Sequence, residues 1–364
     1  MPILTAMVAV AHLMYGLQLG GLEQLVVQLA ARTQARGIAT SIVALGPEGP
    51  VRELAERQGV TVERLEEPGM SLPALLGIRR ALESIRANVL HAHDLGPWLN
   101  AVAARMLRPS TRVVATFHEE RAPSGRKRGA ANLAARLSDA LVACGDRVRD
   151  EIRGWAPAGA RISVIANGVP LETPTEETRA TARARLGVPA GAVAIGYACR
   201  FREIKGPDKL LYAFLDRFAR RDDVHLYLMG TGPMEEDLRR AAEGQGNVHF
   251  TGLVMNAARL LSGLDIYAQT SLSEGRSLSM LEAMAAGLPT IAHELEPVKE
   301  IHQHDATALL VPLGDGDALG RALEQLVADA PLRERLGAAA RERAQQYSIE
   351  PMVDAYTALY REVA

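Results

Sequence analysis

Residues 3–37 read ILTAMVAVAHLMYGLQLGGLEQLVVQLAARTQARG. The segment from Ile3 to Leu13 is a buried-strand pattern, and a loop with Gly16, Gly20 and Gly21 follows it. From Leu22 apolar residues recur at helical spacing until Gly37 stops them. The same alternation continues outward. TSIVALG, VTVERL, VLHAH and RVVATFHE read as further strands with helical segments between them. It restarts after NGVPLETPTEETR (167–179) with AVAIGYACRF, VHLYLMG, VHFTGL, LDIYAQ, LPTIAH and TALLVPL. Strand and helix in alternation imply parallel sheets with helices on both faces. A chain of 364 residues exceeds what one core usually holds. Two doubly wound Rossmann-like domains are expected, dividing near residues 168–180.

Composition narrows the class. With 48% hydrophobic and 23% charged residues and a formal net charge of −2, the chain is no general binder of nucleic acid. Its two cysteines, Cys144 and Cys199, lie far apart in no metal-like spacing, which fits a reducing cytosol. The N-terminal apolar run has no basic residue before Arg32 and is too short to cross a bilayer, so it reads as a first strand rather than a signal or anchor. The segment RAPSGRKR (121–128) is basic and reads as a solvated loop, with weak contact to anionic lipid as the alternative.

Doubly wound sheets bind ligands beyond the carboxyl ends of their strands, so the residues just after each strand carry the functional information. Gly20 and Gly21 stand where the first helix begins and could let backbone N–H groups face an anion, or simply form a tight turn. In IGYACRFREIKGPDKLL, Arg200 ends a strand and Lys205 precedes Gly206 at a helix entry. A guanidinium and an ammonium so placed can neutralise a diphosphate. His91, His93 and His118 end two strands; the HAHD cluster lacks a carboxylate-rich partner, so no metal site is expected there. In LGDGDAL the pair Asp315 and Asp317 could clamp a metal–diphosphate, but Asp317 reads better as the N-cap of the following helix. SLSEGRSLSMLEAMAAGLPTIA (271–292) places Glu274 before a glycine and Glu282 inside a helix. Eight helical residues advance about 12 Å, so the pair suits two ends of one long ligand better than one small centre.

Together GGLEQLVVQLA, VIANGV, CRFREIKG, LMGTGPMEEDL and SEGRSLSMLEAMAAGLPTIA resemble the retaining glycosyltransferases of GT-B fold in the glycogen-synthase-like group, glycosyltransferase family four. The resemblance implies two Rossmann-like domains facing a cleft: an acceptor domain over 1–170, a donor domain over 171–349, and a terminal helix, 350–364, crossing back to the first. It implies a nucleotide sugar as substrate and UDP or GDP as product, with no separate cofactor and no metal. Glu274 would lie beside the donor sugar and Glu282 would accept from the ribose hydroxyls. The diphosphate would meet Gly275 and the N–H groups of Ser277 and Leu278, with Arg200, Lys205 and Gly21 completing the anion site. His118 would contact sugar or acceptor. Where members read Glu-Gly-Phe-Gly-Leu, this chain has Arg276 and Ser277, which bears on the sugar pocket. The implied activity is transfer of a hexose or N-acetylhexosamine, UDP-sugar favoured, to a glycan, glycolipid or small-molecule hydroxyl in the cytosol. A nucleotide-sugar epimerase, a glycan phosphorylase and a non-catalytic nucleotide-sugar-binding protein are the alternatives.

Overall fold

The computed structural model describes residues 8–364 except 19, 68, 119–122, 124, 172, 173, 255 and 256. The chain divides into two compact units, 1–167 with 350–364, and 168–349. The first unit holds a seven-stranded sheet of β1 (Ala9–Met14), β2 (Ala39–Ala44), β3 (Thr61–Arg64), β4 (Val89–His93), β5 (Arg112–Phe117), β6 (Ala140–Ala143) and β7 (Ile162–Val164). Its order is β3-β2-β1-β4-β5-β6-β7, and every pairing is parallel. The second unit holds β8 (Val193–Ala198), β9 (Val224–Met229), β10 (Val248–Gly252), β11 (Ile266–Gln269), β12 (Thr290–His293) and β13 (Ala308–Val311) in the order β10-β9-β8-β11-β12-β13, again all parallel. The expected two doubly wound α/β units are therefore present.

The strands' burial explains their composition. All residues of β1, β4 and β9 are buried, because helices cover both faces of a parallel sheet. The helix Gly21–Ala35 buries Leu25, Val26, Leu29, Ala30 and Thr33, its one apolar stripe, against the sheet. Gly37 follows in the left-handed region at φ +82°, which a side chain would resist. In the first unit Trp98, Phe117 and Trp155 pack edge to face and tilted in one core. In the second, Asp265 ties the helix Glu176–Leu186 to the sheet, accepting from Arg179, Arg183 and the Ala194 N–H at 2.5–2.9 Å.

The terminal helix Ile349–Val363 buries Met352, Val353, Tyr356 and Tyr360, and from Glu350 onward it belongs to the first unit. One cap differs from expectation. Asp315, not Asp317, caps the helix Gly316–Ala328, accepting from Ala318 N at 2.8 Å. Asp317 sits in the first turn and pairs with Arg217 and Arg321. The two aspartates thus have structural partners. Among the described residues no helix is long and apolar enough to cross a membrane.

Candidate active site

Each sheet has one switch point, where connections leave in opposite directions: β1/β4 in the first unit and β8/β11 in the second. Such crevices are where ligands of open α/β sheets bind. In the second unit the segments leaving β8 and β11 are fastened together. Leu272 N–H donates to Ile204 O at 2.9 Å, and Thr270 Oγ1 donates to Gly206 O at 2.7 Å. Gly206 has φ +57°, and a Cβ there would lie 2.3 Å from the Thr270 carbonyl oxygen. Only glycine allows that closure.

The fastening brings Lys205 to Glu274, 69 residues away in sequence. Lys205 Nζ donates to both carboxylate oxygens, at 2.8 and 2.9 Å. Ser271 Oγ donates to Oε1 at 2.5 Å, and Tyr197 Oη lies 2.6 Å from Ser271 Oγ and donates to Lys205 O. The Glu274 side chain is 7% exposed and that of Lys205 32%. The carboxylate is therefore a nearly buried anion that accepts three hydrogen bonds and keeps one acceptor site on Oε2, while the ammonium keeps one N–H directed away from it. His293 Nδ1 donates to Ser271 O at 3.0 Å, and burial lowers the imidazole's pKa, so the ring supports the loop as a neutral donor.

Arg200 follows β8, is exposed, and has no side-chain hydrogen bond or ion pair with a described residue. The helix Leu278–Ala285 begins beside the same loop. Its N-cap, Ser277, donates to Gln269 Oε1 at 2.7 Å and accepts from Met280 N–H at 3.4 Å. The N–H groups of Ser277 and Leu278 precede the first intrahelical bond, Leu281 N–H to Ser277 O, and so carry the partial positive charge of a helix start. Gly275 is exposed. Glu282 is half-buried, no described residue donates to its carboxylate, and desolvation raises its pKa to about 7. Burial raises the pKa of the Tyr267 phenol, and Glu274 and Glu282 each add a smaller push, so both carboxylates lie within Coulombic reach of one ring.

In the first unit, His118 directly follows β5 and is half-buried. Its N–H donates to Asp94 Oδ1 at 3.0 Å. Asp94 adopts φ 67°, ψ 175°, a conformation costly for any residue with a side chain. Its own N–H donates to Thr116 O at 2.8 Å, so the strained turn after β4 is what anchors the end of β5. Gly21 opens the helix Gly21–Ala35 after β1, preceded by the extended Gly20. His12, His91 and His93 present ring nitrogens within 4.8 Å of one another. Both nitrogens of His91 are engaged, with Tyr360 Oη at 2.6 Å and Thr116 Oγ1 at 2.7 Å, and among the described residues no carboxylate joins the group.

Residues 192–329 match the model described as glycosyl transferases group 1, and residues 19–173 that of Glycosyltransferase Family 4. The chain belongs to glycosyltransferase family four. It is 32% identical over 218 residues to the lipopolysaccharide core biosynthesis glycosyltransferase LpsE of Rhizobium meliloti, a match covering 59% of this chain and 60% of that protein. It is 28% identical over 361 residues to the phosphatidyl-myo-inositol mannosyltransferase of Mycobacterium leprae, covering 95% and 94%. The crystal structure of Anabaena HepE in complex with UDP-glucose superposes with a TM-score of 0.82 at 18% identity, over 97% of this chain and 99% of that one. The GT-B fold is thereby shown.

Within this family-four chain, the residues expected to act together fall into two groups. Arg200, Lys205, Glu274, Gly275, Ser277, Leu278 and Glu282 belong to the second unit, and His118 and Gly21 to the first. Lys205 and Glu274 were expected to meet different parts of a ligand; they bind each other. Sequence reasoning missed the supporting residues Tyr197, Ser271, His293 and Asn167, and it missed His12. For His12 a signal existed: a histidine in the first strand could align with the histidines of VLHAH once the strands are taken as neighbours in one parallel sheet.

Proposed function

We propose that this chain transfers a hexose or N-acetylhexosamine from a nucleotide sugar, UDP-sugar favoured, to a hydroxyl of a glycan, glycolipid or small molecule, with retention of anomeric configuration. The observation that carries the reading is the composition of the second unit's switch point. An unpartnered arginine, a lysine with a spare N–H and a helix start stand on the loops there, and the helix itself carries the unpartnered, half-buried Glu282. The cations suit a diphosphate, and a carboxylate lacking donors suits the vicinal hydroxyls of a ribose. The names of LpsE and of the mycobacterial mannosyltransferase, and the UDP-glucose bound to HepE, support the same reading.

The chemistry follows from the charges. As the bond from anomeric carbon to diphosphate oxygen stretches, negative charge grows on the leaving group. Lys205 and the N–H groups of Ser277 and Leu278 are held in place to stabilise it, and the exposed Arg200 is free to turn onto it. Glu274 is charge-compensated by Lys205 and Ser271, which lowers its nucleophilicity and argues against a covalent glycosyl–carboxylate intermediate, while Oε2 keeps a lone pair for a sugar hydroxyl. Attack by the acceptor hydroxyl on the face the diphosphate leaves, with that diphosphate taking the proton, accounts for retention. Glu274 orients the sugar, and His118 and Gly21 serve the sugar, acceptor and diphosphate from the first unit.

The protein cations supply the charge that a divalent metal would otherwise bring, so UDP is expected to raise the Tm equally with and without EDTA. A shift abolished by EDTA and restored by magnesium would contradict this. We further propose that the enzyme works in the cytosol and touches the inner membrane face through residues 121–128. Lys127 and Arg128 are exposed at the start of the helix Arg126–Arg136, and Leu133, on the same helix, is 59% exposed. Residues 121, 122 and 124 lie outside the described residues. Co-sedimentation with phosphatidylglycerol vesicles, lost on Lys127→Glu/Arg128→Glu, tests the contact; equal sedimentation of both proteins would rule it out.

A further inference from the structure

Three imidazoles run in series through the first unit's sheet. His12 of β1 is aligned with His91 of β4, and His93 lies two residues on, so all three face one side. His93 is in turn aligned with Thr116 of β5, and His118 follows two residues later. His12 Nδ1 is 3.2 Å from His93 Nε2, and His93 Nδ1 is 3.2 Å from His118 Nε2. The ring planes are nearly parallel in both pairs, 18° and 27° apart with centroids 5.5 Å apart, so the rings meet edge to edge as N–H···N bonds require. His12 and His93 are buried, and burial lowers their pKa values, His12 to about 3 and His93 well below the usual range.

A neutral imidazole has one N–H and one bare nitrogen. Three in series can therefore be polarised in only two ways, and the inner end decides between them. At the inner end His12 Nε2 is buried and has no partner among the described residues. If the series ran inward, that atom would carry a buried N–H with no acceptor, the rarer kind of unpaired group. If it runs outward, the atom is a bare lone pair. At the outer end Asn167 lies 3.5 Å from His118 Nδ1, and its second amide atom, Oδ1, is buried and unpartnered. Nitrogen and oxygen of an amide occupy interchangeable positions, and with the oxygen toward the ring Asn167 accepts from a protonated Nδ1. The inner end favours the outward direction, and the outer end is compatible with it once the Asn167 oxygen faces the ring.

We propose that His12 and His93 are positioning residues that hold His118 as its Nδ1–H tautomer, so that His118 meets its ligand as a hydrogen-bond donor and not as a base. His12 Nδ1–H donates to His93 Nε2, and His93 Nδ1–H donates to His118 Nε2. The remaining N–H of His118 points to Asn167 across a contact long enough for an oxygen of sugar or acceptor to replace it. No proton leaves the series, because its inner end has nowhere to send one. This deepens the role assigned above to His118 and rests on that reading for the identity of the ligand, but the tautomer is measurable without it.

The test is long-range proton–nitrogen NMR on full-length protein labelled in histidine, assigned through single substitutions. The expected spectrum shows His12, His93 and His118 neutral, each with Nδ1 protonated and Nε2 bare. A protonated Nε2 on His118, or an imidazolium at any of the three, overturns the proposal. So does stoichiometric zinc that shifts His12, His91 and His93 together, since those nitrogens would then be ligands. His93→Asn can place its NH2 where Nδ1–H stood and is expected to keep the His118 signature, whereas His93→Val, checked for folding by circular dichroism, loses it. With transfer measurable, His93→Val lowers kcat roughly tenfold, as loss of one hydrogen bond would, leaves the donor KM unchanged, and His93→Asn restores much of the loss. An unchanged His118 signature in His93→Val also overturns the proposal. If the spectrum is as expected and no sugar transfer is found, the functional reading fails and the tautomer assignment stands.

Discussion

Glu274→Gln is expected to reduce transfer by about 10²–10³-fold while UDP binds as tightly as before, or a few-fold more tightly. The carboxylate is nearly buried and receives three hydrogen bonds, two of them from Lys205. Neutralising it removes the charge that orients the sugar, and loss of one preorganised electrostatic contact typically costs that much in kcat. The same change frees the Lys205 ammonium from its counter-ion, leaving more of its charge for the diphosphate. Transition-state contacts show in kcat and uniform binding contacts in KM, so initial rates at saturating donor decide the matter. Parallel falls in kcat and in UDP affinity would put Glu274 on the nucleotide and contradict its assignment to the sugar.

Glu282→Ala is expected to do the reverse, weakening UDP binding roughly 10- to 150-fold, the equivalent of about 1.5–3 kcal/mol for hydrogen bonds to a charged group. Glu282 adds a pH dependence whose sign can be worked out. Burial raises its pKa from 4.5 to about 7. The folded protein therefore holds a proton that the unfolded chain releases between these values, and this group's contribution to stability is lost as pH rises through about 7. Ribose hydroxyls donate, so they favour the ionised carboxylate and lower its pKa on binding. UDP affinity is then expected to climb between about pH 6 and 8 in the wild type. The phosphate ionises in the same range in every variant, so the informative quantity is the difference from Glu282→Gln, which lacks the extra rise. Identical pH profiles for the two proteins would remove Glu282 from the ribose.

The alternation of apolar strands and amphipathic helices made the doubly wound architecture legible, because that periodicity is local. Strands β6 and β7 escaped it. Ala140–Ala143 is four residues inside an alanine-rich stretch that reads as helix, and Ile162–Val164 is three residues long. The capping aspartate was misplaced by two residues because Asp315 and Asp317 both precede the same apolar run, and only the Ala318 N–H distinguishes them. Arg200 and Lys205 stood out by their position after a strand, but the Lys205–Glu274 pair did not. It depends on two loops meeting at neighbouring strand ends, with Gly206 fitting under Thr270, and no spacing in the sequence encodes that. His12 drew no reading from the sequence, because only the β1/β4 register sets it beside His91.

The central claim is that the second unit holds a nucleotide sugar lengthwise, with Glu282 at the ribose and Glu274 at the sugar. Calorimetric titration of UDP into the wild type, Glu274→Gln and Glu282→Ala at pH 8, with EDTA present, tests it most directly. The expected result is binding by all three, with affinity kept in Glu274→Gln and reduced at least tenfold in Glu282→Ala. Equal losses in both variants, or no loss in either, would contradict it.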